Sequence, residues 1–230
     1  MRFILALFFI IVAASPLAAA QRNYSVTDFT RVKVEGPYAV TLATNVAPFA
    51  RATGSQRALD RVSVRVEGRT LIIRVDRSAW GGVPDEQPGP VTISVGTHGL
   101  EQATVIGGGS LAIDRVRGLE FSLASYGSGA ASIGEVAVDR LRLSAQGSGS
   151  MKAAGSTKQL IATLNGPGLL DASGLNAKDA TLSARGPASI RAKVTNNAKI
   201  AATGTATISL EGGAACENKV TGSAIVTGCR

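Results

Sequence analysis

The chain has 230 residues, 45% of them hydrophobic but only 4% aromatic and 17% charged, with 27 glycines and a formal net charge of +8. Ordinary globular chains carry about 25% charge and about 7% Gly, so this sequence is Gly-rich and charge-poor without being a disordered polymer or a collagen. One His, two Cys and no acidic cluster with metal-ligand spacing leave out most familiar catalytic sets, and neither a metal nor a cofactor is expected.

Met1-Arg2 is a short basic start, Phe3 to Val12 an unbroken apolar run, and Ala18-Ala19-Ala20 a small-residue cleavage site. That is the pattern of a secretory signal peptide over residues 1–20. A transmembrane anchor would need roughly 18 or more apolar residues, and Ser15-Pro16 interrupts this run. Cleavage near Gln21 removes Arg2 and takes the formal charge from +8 to +7. No later segment is apolar enough to span a bilayer, so the mature chain is expected in the periplasm, at the outer-membrane surface or outside the cell.

Residues 21–230 read as a single β domain in two parts. Over 29–95 the pairs Val32/Val34 and Val40/Leu42, and the sets Val62/Val64/Val66 and Leu71/Ile73/Val75, show period-two alternation. They predict less regular strands that cover the leading edge of the body. Glu67-Gly68-Arg69 is a turn, and Ser78 to Pro90, which includes Trp80, is a long exposed loop.

From 100 to 229 the chain repeats. Gly107-Gly108-Gly109, Gly127-Ser128-Gly129, Gly147-Ser148-Gly149, Gly166-Pro167-Gly168, Gly186-Pro187-Ala188, Gly204-Thr205-Ala206 and Gly222-Ser223-Ala224 recur at intervals of 20, 20, 19, 20, 18 and 18 residues. A period near 20 predicts a solenoid, here of seven repeats. Four residues after each first Gly stand Leu111, Ala131, Met151, Leu170, Ile190, Ile208 and Val226; four before stand Ala103, Leu123, Leu143, Ala162, Leu182, Ile200 and Asn218. Odd offsets are small or polar, so each turn joins two half-buried strands. A second turn per repeat is expected at polar sites such as Arg117-Gly118, Asp139-Arg140 and Asn196-Asn197, giving two strands per coil and two facing parallel sheets. The glycines are read as corners that need positive φ or lack room for a Cβ. An interior rich in Ala and Gly leaves no internal cavity, so a ligand must bind outside.

The opening Phe29-Thr-Arg-Val-Lys-Val-Glu-Gly36, the strand pair from Leu59 to Val75 and the serial Gly-Ser-Gly turns together resemble the auto-transporter adhesin head GIN domain family of bacterial envelope proteins. The resemblance spans roughly residues 28 to 229. It implies a parallel β-helix-like solenoid, export and a role in adhesion, and it transfers no catalytic residue.

Cys216 and Cys229 lie 13 residues apart, six before and seven after Gly222. An oxidising compartment favours a structural disulfide there, closing the end of the solenoid. The alternative is two free thiols, with no neighbouring His or CxxC spacing to activate them.

Two function classes remain open. The first is a non-catalytic envelope or surface protein that binds an anionic polysaccharide or a cell-surface glycan. Arg142, Lys152, Arg185 and Arg191 are its candidate polyanion contacts, and Trp80 and Tyr126 its candidate sugar contacts. Here the positive surplus either attracts an anionic polymer or only keeps the protein soluble. The alternative is a carbohydrate-active enzyme of lyase or esterase type with a shallow outer site, for which Asp114 and Glu135 on successive coils are the candidate carboxylates. His98 lacks a Ser or Cys partner and reads as a loop residue. Nucleic acid is not an expected partner, since export removes the usual target and outward aromatics are scarce. The oligomeric state is not encoded in any pattern found.

Overall fold

The computed structural model describes residues 20–76 and 89–230. Trp80 and residues 1–19 of the expected signal peptide lie outside the described residues. Of the described residues 73% are in strands, which wind as a parallel β-solenoid of about six turns with roughly 20 residues per coil. The seven Gly corners therefore delimit six complete coils.

The regular coils are β8 (Gln102–Gly107), β9 (Ser110–Gly127), β10 (Ala130–Gln146), β11 (Ser150–Asn165), β12 (Leu169–Arg185) and β13 (Ser189–Gly204), followed by the shorter β14 (Thr207–Glu211), β15 (Ala215–Gly222) and β16 (Ile225–Thr227). Each pairs in parallel with the coil before it; Ala131, for example, faces Leu111 on one side and Met151 on the other. Strands as long as β9 arise because backbone bonding to the neighbouring coil continues around the bends.

Two strands per coil was the expectation; the burial pattern shows three sides. In β10 the inward residues are Ala131 and Ile133, then Val136 and Val138, then Leu141, Leu143 and Ala145. A straight strand keeps inward residues an even number apart, yet Ile133 to Val136 and Val138 to Leu141 are both odd steps. Each odd step is a bend. The first coincides with a register shift between Ile133 and Val136. The second falls at Asp139-Arg140, one of the polar sites expected to turn, so the sequence pattern located one bend and missed the other.

In the tight corners at Gly127 and Gly147 the first position needs glycine for both reasons, and the second position for close approach alone. The first Gly of every corner has positive φ, for example +117° at Gly127 and +115° at Gly147. The second does not, but it is pressed against the coil before. A Cβ on Gly129 would stand 2.5 Å from the Gly109 carbonyl oxygen, and one on Gly149 2.5 Å from that of Gly129. The same approach lets corner amides donate across coils, Gly129 N–H to the Gly107 carbonyl at 2.9 Å and Gly149 N–H to that of Gly127 at 3.0 Å.

The leading end is built from the irregular strands. β2 (Arg31–Glu35) and β3 (Ala39–Thr44) flank Gly36-Pro37-Tyr38, and they pair with β8 and β9 respectively. This is an eighth corner of the same kind, with Gly36 at φ +107°. Between β3 and β8 the chain makes an excursion that caps the end. β4 (Phe49–Gly54) and β7 (Thr92–Thr97) extend one side, with β1 (Ala20–Tyr24) as its antiparallel edge. β5 (Val62–Glu67) and β6 (Thr70–Val75) form a hairpin that extends another through β2. A short helix, α1 (Gln56–Asp60), is N-capped by Ser55, whose hydroxyl accepts from Ala58 N–H at 3.2 Å, and it buries Ala58 and Leu59. Phe29 is fully buried in the same cap, a side chain whose burial contributes about 1.5–3 kcal/mol.

At the other end Cys216 and Cys229 are disulfide-bonded, with Cα atoms 5.6 Å apart. No further coil covers β15 and β16, so Val220 and Ile225 remain exposed.

Candidate functional site

Among the described residues the inward rows of Leu, Ile, Val and Ala form one continuous buried cluster, which fills the space a ligand would need. Chemistry must therefore come from the outward rows, in which residues of successive coils stand side by side about 4.8 Å apart. Three sides carry three different sets.

The side following each Gly corner bears the row Ala112, Ser132, Lys152, Asp171, Arg191. Lys152 and Arg191 flank Asp171. The Asp171 carboxyl accepts from the Ser173 hydroxyl at 2.6 Å and the Ser173 amide at 3.2 Å. These bonds first, and then the two cations, hold it below the ordinary carboxylate range. The short middle side carries Arg117, Glu135 and Lys193, and Lys158 and Lys178 stand at the bend that ends it.

The side preceding the Gly corner bears two other rows of interest. One is Tyr126, Gln146, Asn165, Arg185, next to the corner. The other is Ser122, Arg142, Ile161, Thr181, four residues earlier on each strand. Between them runs a floor of small residues, Ala124, Ser144, Thr163 and Ser183. The candidate contacts thus separate: Tyr126, Arg142 and Arg185 gather on one side of the corner, Lys152 and Arg191 on the other. Gln146 and Asn165 were not singled out from the sequence, although they occupy the same offset from their corners as Tyr126 and Arg185.

Charge is unevenly distributed along the axis. Residues 89–140 contain three Lys or Arg against five Asp or Glu, a net −2; residues 141–209 contain eight against two, a net +6. In the first group every cation is paired: Arg115 with Asp114 at 3.7 Å, Arg117 with Glu135 at 3.3 Å, and Arg140 with Glu120 at 3.3 Å. Arg142 also donates to Glu120 at 2.6 Å, which, with Arg140, holds that carboxyl below its usual range. Of the later cations Lys158 meets Asp139 at 2.9 Å and Lys199 meets Glu217 at 3.4 Å. Lys152, Lys178, Arg185, Arg191 and Lys193 make no ion pair among the described residues.

The candidate carboxylates serve the fold. Asp114 accepts from the Thr44 amide at 3.0 Å and the Thr44 hydroxyl at 3.3 Å, tying the first regular coil to β3, and Glu135 is held by Arg117. His98 lies 3.2 Å from Asp28 at the capped end. Desolvation pushes the Asp28 carboxyl up, but hydrogen bonds from His98 and Thr97 outweigh it and hold the group low. Among the described residues no group of three or more His, Cys, Asp or Glu could hold a metal ion. No helix of the described residues is long and apolar enough to cross a membrane.

The fold is thus a three-sided parallel β-solenoid whose polar and charged side chains stand in outward rows. Residues 28–214 match the family described as "Putative auto-transporter adhesin, head GIN domain", and the chain belongs to it. No functionally curated protein matches the sequence. Among solved structures, an adhesin-described protein of Bacteroides fragilis superposes with a TM-score of 0.73 at 18% identity, covering 93% of this chain and 95% of its own. A protein of Parabacteroides distasonis described as lipid binding gives 0.71 at 19% identity, covering 92% and 98%. An adhesin-described protein of Parabacteroides merdae gives 0.71 at 16% identity, covering 94% and 98%. At these identities the likeness establishes the shared fold.

Proposed function

We propose that this protein is a non-catalytic, exported surface-binding solenoid whose later coils hold an anionic polymer, an acidic glycan of a cell envelope or host surface. One observation carries the reading: within the regular coils the positive surplus falls in residues 141–209, at +6 against −2 for residues 89–140, and five of its eight cations make no ion pair among the described residues. A charge excess serving solubility alone has no reason to collect in the later coils while the earlier regular coils neutralise each of their arginines. The adhesin descriptions of the family and of two solved relatives support a surface-binding role. The enzyme alternative has no specific observation in its favour, since Asp114 and Glu135 are committed to Thr44 and Arg117.

Dextran sulfate binding at low and high salt tests the proposal. Exposed charges are screened beyond roughly 8 Å at physiological ionic strength, so affinity is expected to fall steeply as salt rises. Replacing Lys152, Lys178, Arg191 and Lys193 together by Gln is expected to weaken binding by about tenfold or more, and single replacements only slightly, because many weak contacts act together. No binding at low salt, or binding indifferent to the quadruple change, would reject the reading.

A further inference from the structure

We propose that the row Tyr126, Gln146, Asn165 and Arg185 is a subsite that aligns an acidic oligosaccharide along the solenoid axis. This rests on the reading above and narrows it to one side of one corner and to one ligand class.

Parallel pairing places Tyr126 beside Gln146, Gln146 beside Asn165, and Asn165 beside Arg185. The row advances about 4.8 Å per coil, or about 14 Å from Tyr126 to Arg185, a spacing that offers one side chain to each successive sugar. The four groups differ in the way such a ligand requires. Tyr126 is 46% exposed, and its ring can cover the apolar face of a sugar while its hydroxyl stays wet. Exposed Gln146 supplies both donors and an acceptor for hydroxyl groups, and half-buried Asn165 continues the row between it and Arg185. The Asn165 Oδ1 is buried with no hydrogen-bond partner among the described residues, so the open acceptor of the pair is that of exposed Gln146. Arg185 has no ion pair among the described residues and presents the forked donor set that suits a carboxylate. The row stands beside the small floor of Ala124, Ser144, Thr163 and Ser183, with Arg142 on the far wall, so an extended chain fits between them.

Other polymers fit this row less well. A peptide strand would need free backbone groups, and here those groups are engaged with the coils on both sides. A single-stranded nucleic acid would need repeated stacking platforms, and the row holds one ring.

The test uses the mature protein with three probes: a galacturonic acid trisaccharide, its neutral galactose counterpart, and dextran sulfate as a bulk polyanion. The acidic trisaccharide is expected to bind about tenfold more tightly than the neutral one, with Tyr126→Ala and Arg185→Gln each reversing most of that binding. The Lys152, Lys178, Arg191 and Lys193 quadruple variant, whose changes lie outside this side of the coil, is expected to weaken dextran sulfate binding by about tenfold or more and keep the trisaccharide. All four side chains are outward, so unchanged melting of the single variants serves as the folding control. Dextran sulfate binding with no trisaccharide binding, or trisaccharide binding indifferent to both Tyr126→Ala and Arg185→Gln, overturns the subsite and leaves the polyanion reading standing. Failure of dextran sulfate at low salt overturns that reading separately.

Discussion

The earlier and later coils share one architecture and differ in how tightly their corners close. A Cβ at the second corner residue would lie 2.5 Å from the preceding coil's carbonyl oxygen at Gly129 and Gly149, and 3.1 Å at Gly168. The next two corners carry Ala188 and Ala206 at that position. Proline enters the corner at Pro167 and Pro187, where this relaxation occurs. The same axial gradient runs through the charges, from arginines neutralised coil by coil to cations left open. The early coils are therefore built for close stacking, and the later coils tolerate both a methyl group at the corner and unpaired charge on the faces.

The largest test of that contrast is at the corners. Gly147→Val combines positive φ with a Cβ 2.5 Å from the Gly127 carbonyl oxygen, and a loss of about 3 kcal/mol or more is expected. Gly129→Ala should also be severe, whereas Ala188→Gly should cost about 1 kcal/mol, the backbone entropy alone. Ser148→Ala, at the exposed centre of its corner, should change little. Thermal melts of the four variants that shifted equally would abolish the distinction between tight and relaxed corners.

The uncapped end comes next in size. Opening the Cys216–Cys229 bridge with Cys216→Ser and Cys229→Ser together is expected to lower stability by about 3 kcal/mol on the loop-entropy account. Denatured, non-reduced wild-type protein should show no free thiol. Two titratable thiols would remove the bridge from the account of this end.

Smaller effects probe the charges. Glu120→Gln frees Arg140 and Arg142 and should raise dextran sulfate affinity about twofold at low salt. Unchanged affinity would mean that paired and unpaired arginines do not differ in their contribution. Acid should act on stability in a defined direction. Glu120 and Asp171 have folded pKa values below their ordinary ones, so their contribution is complete above the unfolded values near pH 4 and is lost as pH falls through the folded values. Asp171→Asn is expected to destabilise slightly at pH 7 and to flatten the acid limb of the stability curve. A limb as steep as that of the wild type would assign the acid sensitivity elsewhere.

The regular coils were legible because the information is local and repeated. Leu111, Ala131, Met151 and their equivalents keep one distance from a Gly corner, and every copy reinforces the same reading of period and inward face. The bend near Gly134 was not legible. Glycine recurs near it at Gly134, Gly155, Gly174 and Gly212, but with positive φ only at Gly155 and Gly212, and in β10 the bend shows as an odd step between inward residues, visible once both flanking strands are known to face one core. The leading corner Gly36-Pro37-Tyr38 was missed for a related reason: the excursion through β4, α1 and the β5–β6 hairpin separates it from Gly107, so no period points to it.

By itself, the sequence determined the solenoid, its coil length, the site of the closing bridge and the absence of a ligand-sized interior, because each follows from short-range alternation and from residues too small to leave space. Tertiary structure alone decided which cations keep company with Tyr126 and which with Asp171, and which are silenced by carboxylates. Those relations join residues a full coil apart across a bend, and the third side of the coil determines which face each of them occupies.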